Sequence, residues 1–402
     1  MKLYKQYDHQ NEVGFPPYFS LLLLLFQRVH QKEAMNQNLF GDVAEICLTK
    51  FPTIVEPILS YLNAKDLSAA ACVCSFWNAS AKRIWQKRKF IVANLYHKEV
   101  GEEDELSMQE MGDILCKSIN GSVIFPCAAL MYLSRCDEFF SKRHSKHIRK
   151  VAQTVKSALP NNCKFTGGLG GGVIGRIGSK SLEVEQREGL SVLLLPRNSG
   201  VFINDFFFTM SAVHGASKDE WRKMLGNPKD HKVKLVLLNA CCEVNGVEKI
   251  LKMITKTFGK DVLIAGGLVE SIIHGSKIHN RGVSGLVFAG NMAASLVINK
   301  GRKSNEGMRE EDKEQFIQSL QGLKESLGAE TYDVIFMYSC VARGYSLYRE
   351  DNVETTWISE VFPGVPVVGM FAFGEIGYGP DLAEGSKTGH HAYSTVLCLC
   401  KF

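Results

Sequence analysis

"YDVIFMYSC", Tyr332 to Cys340, is an apolar run of strand length that ends in a cysteine. It reads as a strand. A helical stretch follows, then "VFPGVPVVGMFAFGE" (361–375), then "AYSTVLCLC" (392–400). The same order occurs earlier: "KLVLLNACC" (234–242), a helical stretch, "TFGKDVLIAGGLVE" (257–270), "GVSGLVFAG" (282–290). A fainter copy precedes both: "GSVIFPCA" (121–128), a helix to Leu159, "CKFTGGLGGG" (163–172), "LSVLLLP" (190–196). Each unit is strand, helix, strand ending in glycine, then a further strand. Strands alternating with helices predict an α/β module with mixed sheets.

The chain has 402 residues, 45% of them hydrophobic, which suits two or three domains with a sizeable core. A formal net charge of +5 is small for this length and points to no nucleic-acid partner. The basic run 141–147 reads as a solvated helix start or loop. Twelve cysteines are scattered, without a C-x-x-C pair or zinc-finger spacing. They read as reduced thiols in a cytoplasmic or nuclear protein, with no metal site. Phe15–Phe26 imitates a signal-peptide core, but acids precede it and no small-residue cleavage site follows. It is too short to span a bilayer. Residues 1–38 are therefore expected to be a poorly ordered extension, with no membrane partner.

Residues 39–90 read as helices. Ile54, Val55, Ile58, Leu59 and Leu62 share one helical stripe, and Asn63 or Asp66 can cap the next helix. Leu67, Ala70, Cys74, Trp77, Ala81 and Trp85 then recur at spacings of three and four. Cys72 and Cys74 on one helix would point about 200° apart, so they are read as small hydrophobes rather than as chelators. A unit this small rarely stabilises itself, and its apolar side must meet another surface. Residues 91–119, with the acidic "GEEDELSMQEMGDILCKS" (101–118), read as a helical linker whose helix lies on the surface.

The stretch "FPTIVEPILSYLNAKDLSAAACVCSFWNASAKRIW" (51–85) resembles an F-box. Pro52 falls on the family's Leu-Pro, with Phe51 in place of the leucine. Ile58-Leu59-Ser60-Tyr61-Leu62 matches its I-L-S-Y-L helix, and Asp66-Leu67 its D-L. Val73-Cys74 with Trp77 matches V-C-x-x-W, and Trp85 the closing L-W position. Pro57 lies inside the first helix. The resemblance implies binding of the Skp adaptor of a cullin-RING scaffold through Pro52, Ile58, Leu59, Leu62, Leu67, Val73, Cys74, Trp77 and Trp85. Trp77, Leu59, Leu62 and Val73 are its expected anchors.

Residues 120–402 resemble the FIST domain, with parts expected at 120–232 and 233–402. Ser339-Cys340-Val341-Ala342-Arg343-Gly344 and Phe373-Gly374-Glu375-Ile376-Gly377 carry that resemblance, with His391-Ala392-Tyr393-Ser394-Thr395 behind them. Both main motifs fall at strand carboxyl ends, where α/β sheets bind ligands. Two readings stand for Cys340, Arg343, Gly344, Gly374, Glu375 and Gly377. One is a pocket for a small zwitterion or peptide end, with Arg343 on a carboxylate or phosphate and Glu375 on an amine. The other is an internal Arg343–Glu375 pair that fastens two loops. Cys340 lacks a base in sequence unless His390 or His391 folds back, so it reads as structural, as does Cys241-Cys242.

The glycine run 167–175 contains G-x-G-x-x-G, but strand-like sequence follows it, so no dinucleotide site is expected. It reads as a flexible loop at a sheet edge. The expected fold is α+β overall, a small all-helical F-box followed by an α/β FIST module of strand-helix-strand-strand units with mixed sheets. An F-box ahead of FIST segments implies the substrate-recognition subunit of an SCF (Skp-cullin-F-box) E3 ubiquitin ligase. The F-box would bind the adaptor, and the FIST module the protein to be ubiquitinated. Such a subunit needs no cofactor and no catalytic residue of its own. A FIST module that senses a small ligand and regulates partners is the alternative.

Overall fold

The computed structural model describes residues 46–97, 107–134, 142–197, 200–213, 215–226, 231–302, 307–380, 382 and 389–402. The extension expected at 1–38 lies outside them. The chain divides into two compact units, Met1–Arg88 and Lys89–Phe402.

In the first unit, α1 (Pro52–Leu59), α2 (Ala64–Ala70) and α3 (Ser75–Lys87) follow one another through short turns. Asn63 caps α2 by accepting from the Asp66 amide at 2.8 Å. The expected continuous helix through Cys72 and Cys74 is broken at 71–74. Cys74 instead caps α3, its sulfur accepting from the Trp77 amide. Cys72 is exposed rather than packed.

The second unit is built from three six-strand repeats. The first holds β1 (Val92–His97), α4 (Met108–Gly121), β2 (Pro126–Ser134), α5 (Lys142–Ala158), β3 (Lys164–Leu169), β4 (Gly172–Ile177), β5 (Lys180–Glu185) and β6 (Gly189–Pro196). The second holds β7 (Val201–Phe208), α6 (Lys218–Met224), β8 (Val233–Cys241), α7 (Val244–Phe258), β9 (Leu263–Leu268), β10 (Ser271–His274), β11 (Lys277–His279) and β12 (Gly282–Gly290). The third holds β13 (Ala293–Lys300), α8 (Glu310–Leu327), β14 (Val334–Cys340), α9 (Tyr345–Tyr348), α10 (Val353–Val361), β15 (Val367–Ala372), β16 (Glu375–Tyr378), β17 (His390–His391) and β18 (Ser394–Lys401).

The strands form three sheets of one pattern: β1-β6-β2-β3-β10-β11, β7-β12-β8-β9-β16-β17 and β13-β18-β14-β15-β4-β5. Each repeat keeps four strands and gives its fourth–fifth hairpin to a neighbour's sheet. The exchange is cyclic, because β4 of the first repeat pairs with β15 of the third. The boundary expected at 232 is therefore not a structural division. Strands from either side of it share all three sheets, where backbone pairing outweighs nearness in sequence.

Alternation explains why the central strands are apolar throughout. Along β2, Ala128, Leu130 and Tyr132 face a core shared by all three sheets, while Ala129, Met131 and Leu133 face α4 and α5. β8 and β14 divide their side chains in the same way, with Leu237 and Phe336 inward and Leu238 and Met337 outward. The parallel pairs β2–β3, β8–β9 and β14–β15 share one register: Met131 opposite Gly167, Leu238 opposite Gly266, Met337 opposite Gly369. A Cβ at any of these glycines would strike the carbonyl oxygen of the residue opposite. Close approach of neighbouring backbones thus accounts for the recurrent strand-end glycine.

Three further expectations change. Residues 92–97 are an edge strand of the first sheet, pairing Val92 with Leu194, so 91–119 is not a helical linker. The helix after it buries Met108, Met111, Leu115 and Ile119, and its acidic approach 100–106 lies outside the described residues. The glycine run is not a flexible loop. It forms the end of β3 and the start of β4, both buried.

Candidate functional site

The first candidate is the helical unit's apolar surface. Val55, Leu59, Leu67, Ala70, Ala71, Ala81 and Ile84 form its core. Arg88, almost fully buried, donates to the carbonyls of Ser60 (2.7 Å) and Leu62 (2.8 Å), satisfying the open end of α1. Burial lowers its pKa. Trp77 donates from Nε1 to the Leu48 carbonyl at 2.6 Å. Leu59 and Leu67 therefore serve the unit's own core. Ile58, Leu62, Cys74, Trp77 and Trp85 are half-buried, and Pro52 and Val73 are exposed.

A second stripe is open to solvent. Phe51, Ile54 and Tyr61 are 47%, 37% and 48% exposed, and Val73 65%. Positions 51, 54, 58 and 61 recur at helical spacing beside the buried Val55–Leu59 stripe. Phe51, Ile54 and Tyr61 were not among the expected anchors, although their spacing was visible. Pro57 sits in the second turn of α1 and cannot donate to the Thr53 carbonyl, and the helix ends at Leu59. It lines a groove of about 480 Å³ with Pro52, Thr53, Glu56, Ile84 and Lys87.

The second candidate lies where β14 ends. Arg343 is 2% exposed and pairs with Glu354, not Glu375. Its Nε donates to Glu354 Oε1 at 2.6 Å and its Nη2 to the Tyr348 hydroxyl at 2.7 Å. Tyr348 donates on to Glu354 at 2.9 Å, and Thr395 donates to the other carboxylate oxygen at 2.7 Å. Burial works against the Arg343 charge, but Glu354 and Tyr348 outweigh it and hold the guanidinium above its ordinary value. These bonds turn Arg343 inward and tie the β14 loop to α10. Glu354 was missed. Its signal was an acid four residues before Ile358, on the apolar side of "VETTWISEV" (353–361).

Glu375 accepts from the Ser394 amide (3.1 Å) and hydroxyl (2.7 Å). Burial pushes it up to about 7. Cys340 lies beside it; burial and the Glu375 charge push that thiol up, away from the thiolate a nucleophile requires. His391 bonds to the Gly377 carbonyl at 3.1 Å. Cys340 and Glu375 are thus brought together, with Gly374 at the turn before β16 and Gly377 within it. Gly344 has φ +56°, and a Cβ there would strike the Glu185 carboxylate. Cys241 has the carbonyls of Asn280 (3.0 Å) and Glu270 (3.3 Å) in reach of its single S–H, and burial raises its pKa. Three exposed aromatic side chains surround Cys340 and Arg343: Tyr345 at the start of α9, and Phe373 and Tyr393 on turns.

Two more acids from the first repeat reach this end of the third. Glu183 accepts from the Thr355 amide at 2.7 Å, and Glu185 from the Tyr345 amide at 2.8 Å. Burial, then the Glu354 charge, pushes Glu183 up to about 8; burial pushes Glu185 up to about 7. All three raised acids bind protons more tightly folded than unfolded, where they titrate near 4.5. Their contribution to stability is present below that value and is lost as pH rises through about 7–8. Thermal unfolding should give a higher Tm near pH 6 than near pH 8, with a flatter slope for Glu183→Gln. An unchanged slope in that variant would refute the assignment.

The F-box-like family matches residues 53–91, the FIST N domain 139–308 and the FIST C domain 277–378. F-box only protein 22 of Homo sapiens is 27% identical over 355 residues, which cover 82% of this chain and 85% of that protein. The Pongo abelii protein of the same name is 26% identical over 355 residues with the same coverage. Among solved structures, cyanuric acid hydrolase from A. caulinodans matches at TM-score 0.35 and 9% identity, covering 78% of this chain and 99% of that one. A second cyanuric acid hydrolase structure matches at TM-score 0.36 and 8% identity, covering 77% and 99%. The chain is thus similar to F-box only protein 22 over most of its length, with an F-box-like segment followed by FIST domains.

Proposed function

We propose that this chain is the substrate-recognition subunit of an SCF E3 ubiquitin ligase. Its F-box binds the Skp adaptor on a cullin-RING scaffold. Its FIST module holds the protein to be ubiquitinated for proteasomal degradation. The observation that carries the reading is the exposed stripe Phe51, Ile54 and Tyr61, with Val73, left over after the helical unit has filled its own core. The exposed aromatics Tyr345, Phe373 and Tyr393 support a protein-holding role for the FIST module. The subunit acts without chemistry of its own, by raising the effective concentration of its target at the ligase. Reduced thiols suit work in the cytoplasm and nucleus.

Co-expression with the adaptor and a cullin tests this. Wild type should co-purify with both. Ile54→Asp with Val73→Asp should lose them while its circular dichroism and melting stay those of wild type, since both side chains are exposed. Failure of the wild type to form a complex would sink the proposal.

A further inference from the structure

A groove of about 470 Å³ lies between α6 and α7. Met210, Val213, Trp221, Ile250 and Met253 supply its apolar walls, and Lys249 and Lys252 stand on it as well. Both lysines are exposed, and neither side chain has an ion pair or hydrogen bond among the described residues. α6 and α7 together carry six basic residues against three acidic ones. A buried, unmet donor lies behind the groove wall. Trp221 is 1% exposed, its ring set edge-on against Phe208 at 5.2 Å, and its Nε1 has no acceptor. An N–H is rarely left so, because the desolvation is uncompensated. Methionine walls are deformable and accept varied apolar shapes.

We propose that this groove docks an acidic, apolar segment of the protein held by the FIST module. One large apolar side chain would sit between Met210 and Met253. Flanking carboxylates would meet Lys249 and Lys252. The charge pattern selects this occupant: a basic segment would face two unpaired lysines, and a nucleic acid would place its phosphates over a small apolar trough. The inference rests on the substrate-receptor reading and refines it to a substrate class.

The test is fluorescence anisotropy on the full chain, purified alone and together with the adaptor. The probe is a labelled Glu-Asp-Leu-Phe-Glu-Glu peptide; Glu-Asp-Ala-Ala-Glu-Glu, Lys-Lys-Leu-Phe-Lys-Lys and an oligothymidylate are the comparisons. The first peptide should bind saturably, at least about tenfold tighter than the others, one decade being about 1.4 kcal/mol. Lys249→Glu with Lys252→Glu should remove that preference while adaptor co-purification persists. No saturable binding by wild type, equal binding by the variant, or preference for the oligonucleotide would overturn the inference. Peptide binding by a chain that fails to co-purify with the adaptor would retain the groove and refute the ligase reading.

Discussion

Arg343→Ala should lower unfolding free energy by about 3–5 kcal/mol, the usual cost of removing one partner of a buried ion pair. The loss comes chiefly from the group left behind. Glu354 is fully buried, and without Arg343 its carboxylate would keep only the Tyr348, Ser339 and Thr395 hydroxyls. Chemical denaturation monitored by fluorescence would read the change, since Trp357 and Tyr348 pack edge to face at 5.3 Å beside the pair. Arg343→Met with Glu354→Leu should recover most of the loss, because an apolar pair strands no charge. If the double variant is no better than the single one, the network matters through more than this pair. Loss of a ligand effect in Arg343→Ala would thus report damage to the third repeat, since the guanidinium faces inward.

The second large effect belongs to the helical unit. Leu59→Ala should cost about 2–5 kcal/mol, as large-to-small changes in packed cores do. Leu59 is 2% exposed and packs among Val55, Leu67, Ala81 and Ile84. A single core this small rarely supplies more than about 3–5 kcal/mol in all, so this one change is enough to unfold α1–α3. Limited proteolysis should then cut within 46–88, and adaptor co-purification should disappear. Val73→Ala, at an exposed position, should stay within about 0.5 kcal/mol of wild type while weakening the adaptor complex. Equal protease resistance in Leu59→Ala would show that the core lies elsewhere.

Much of this architecture was legible in the chain. The repeat is written in local order, and its strand-end glycine marks a steric demand between neighbouring backbones that recurs in all three copies. The spacing of Ile58, Leu59, Asp66, Leu67, Val73 and Trp77 carried the F-box resemblance. What stayed hidden depends on non-local pairing. Nothing local tells β4 and β5 that their sheet partner is β15. Glu354 could not be matched to Arg343 without the turn that brings α10 back over β14. The amphipathic pattern of α1 marks two adjacent apolar stripes, and only packing decides that Leu59 faces inward and Ile54 outward.

The cyclic exchange of hairpins also has a timetable. β4 pairs with β15 at Ile174 and Gly369, about 195 residues apart, so its partner is synthesised long after it. At about 5–20 residues per second, that leaves roughly 10–40 s on the ribosome with an unmatched strand edge. Until the third repeat emerges, the first cannot complete its exchange, and a nascent or truncated chain would offer exposed backbone to any neighbouring strand. A protein proposed to mark others for destruction would thus itself pass through a stage at which it resembles a quality-control client.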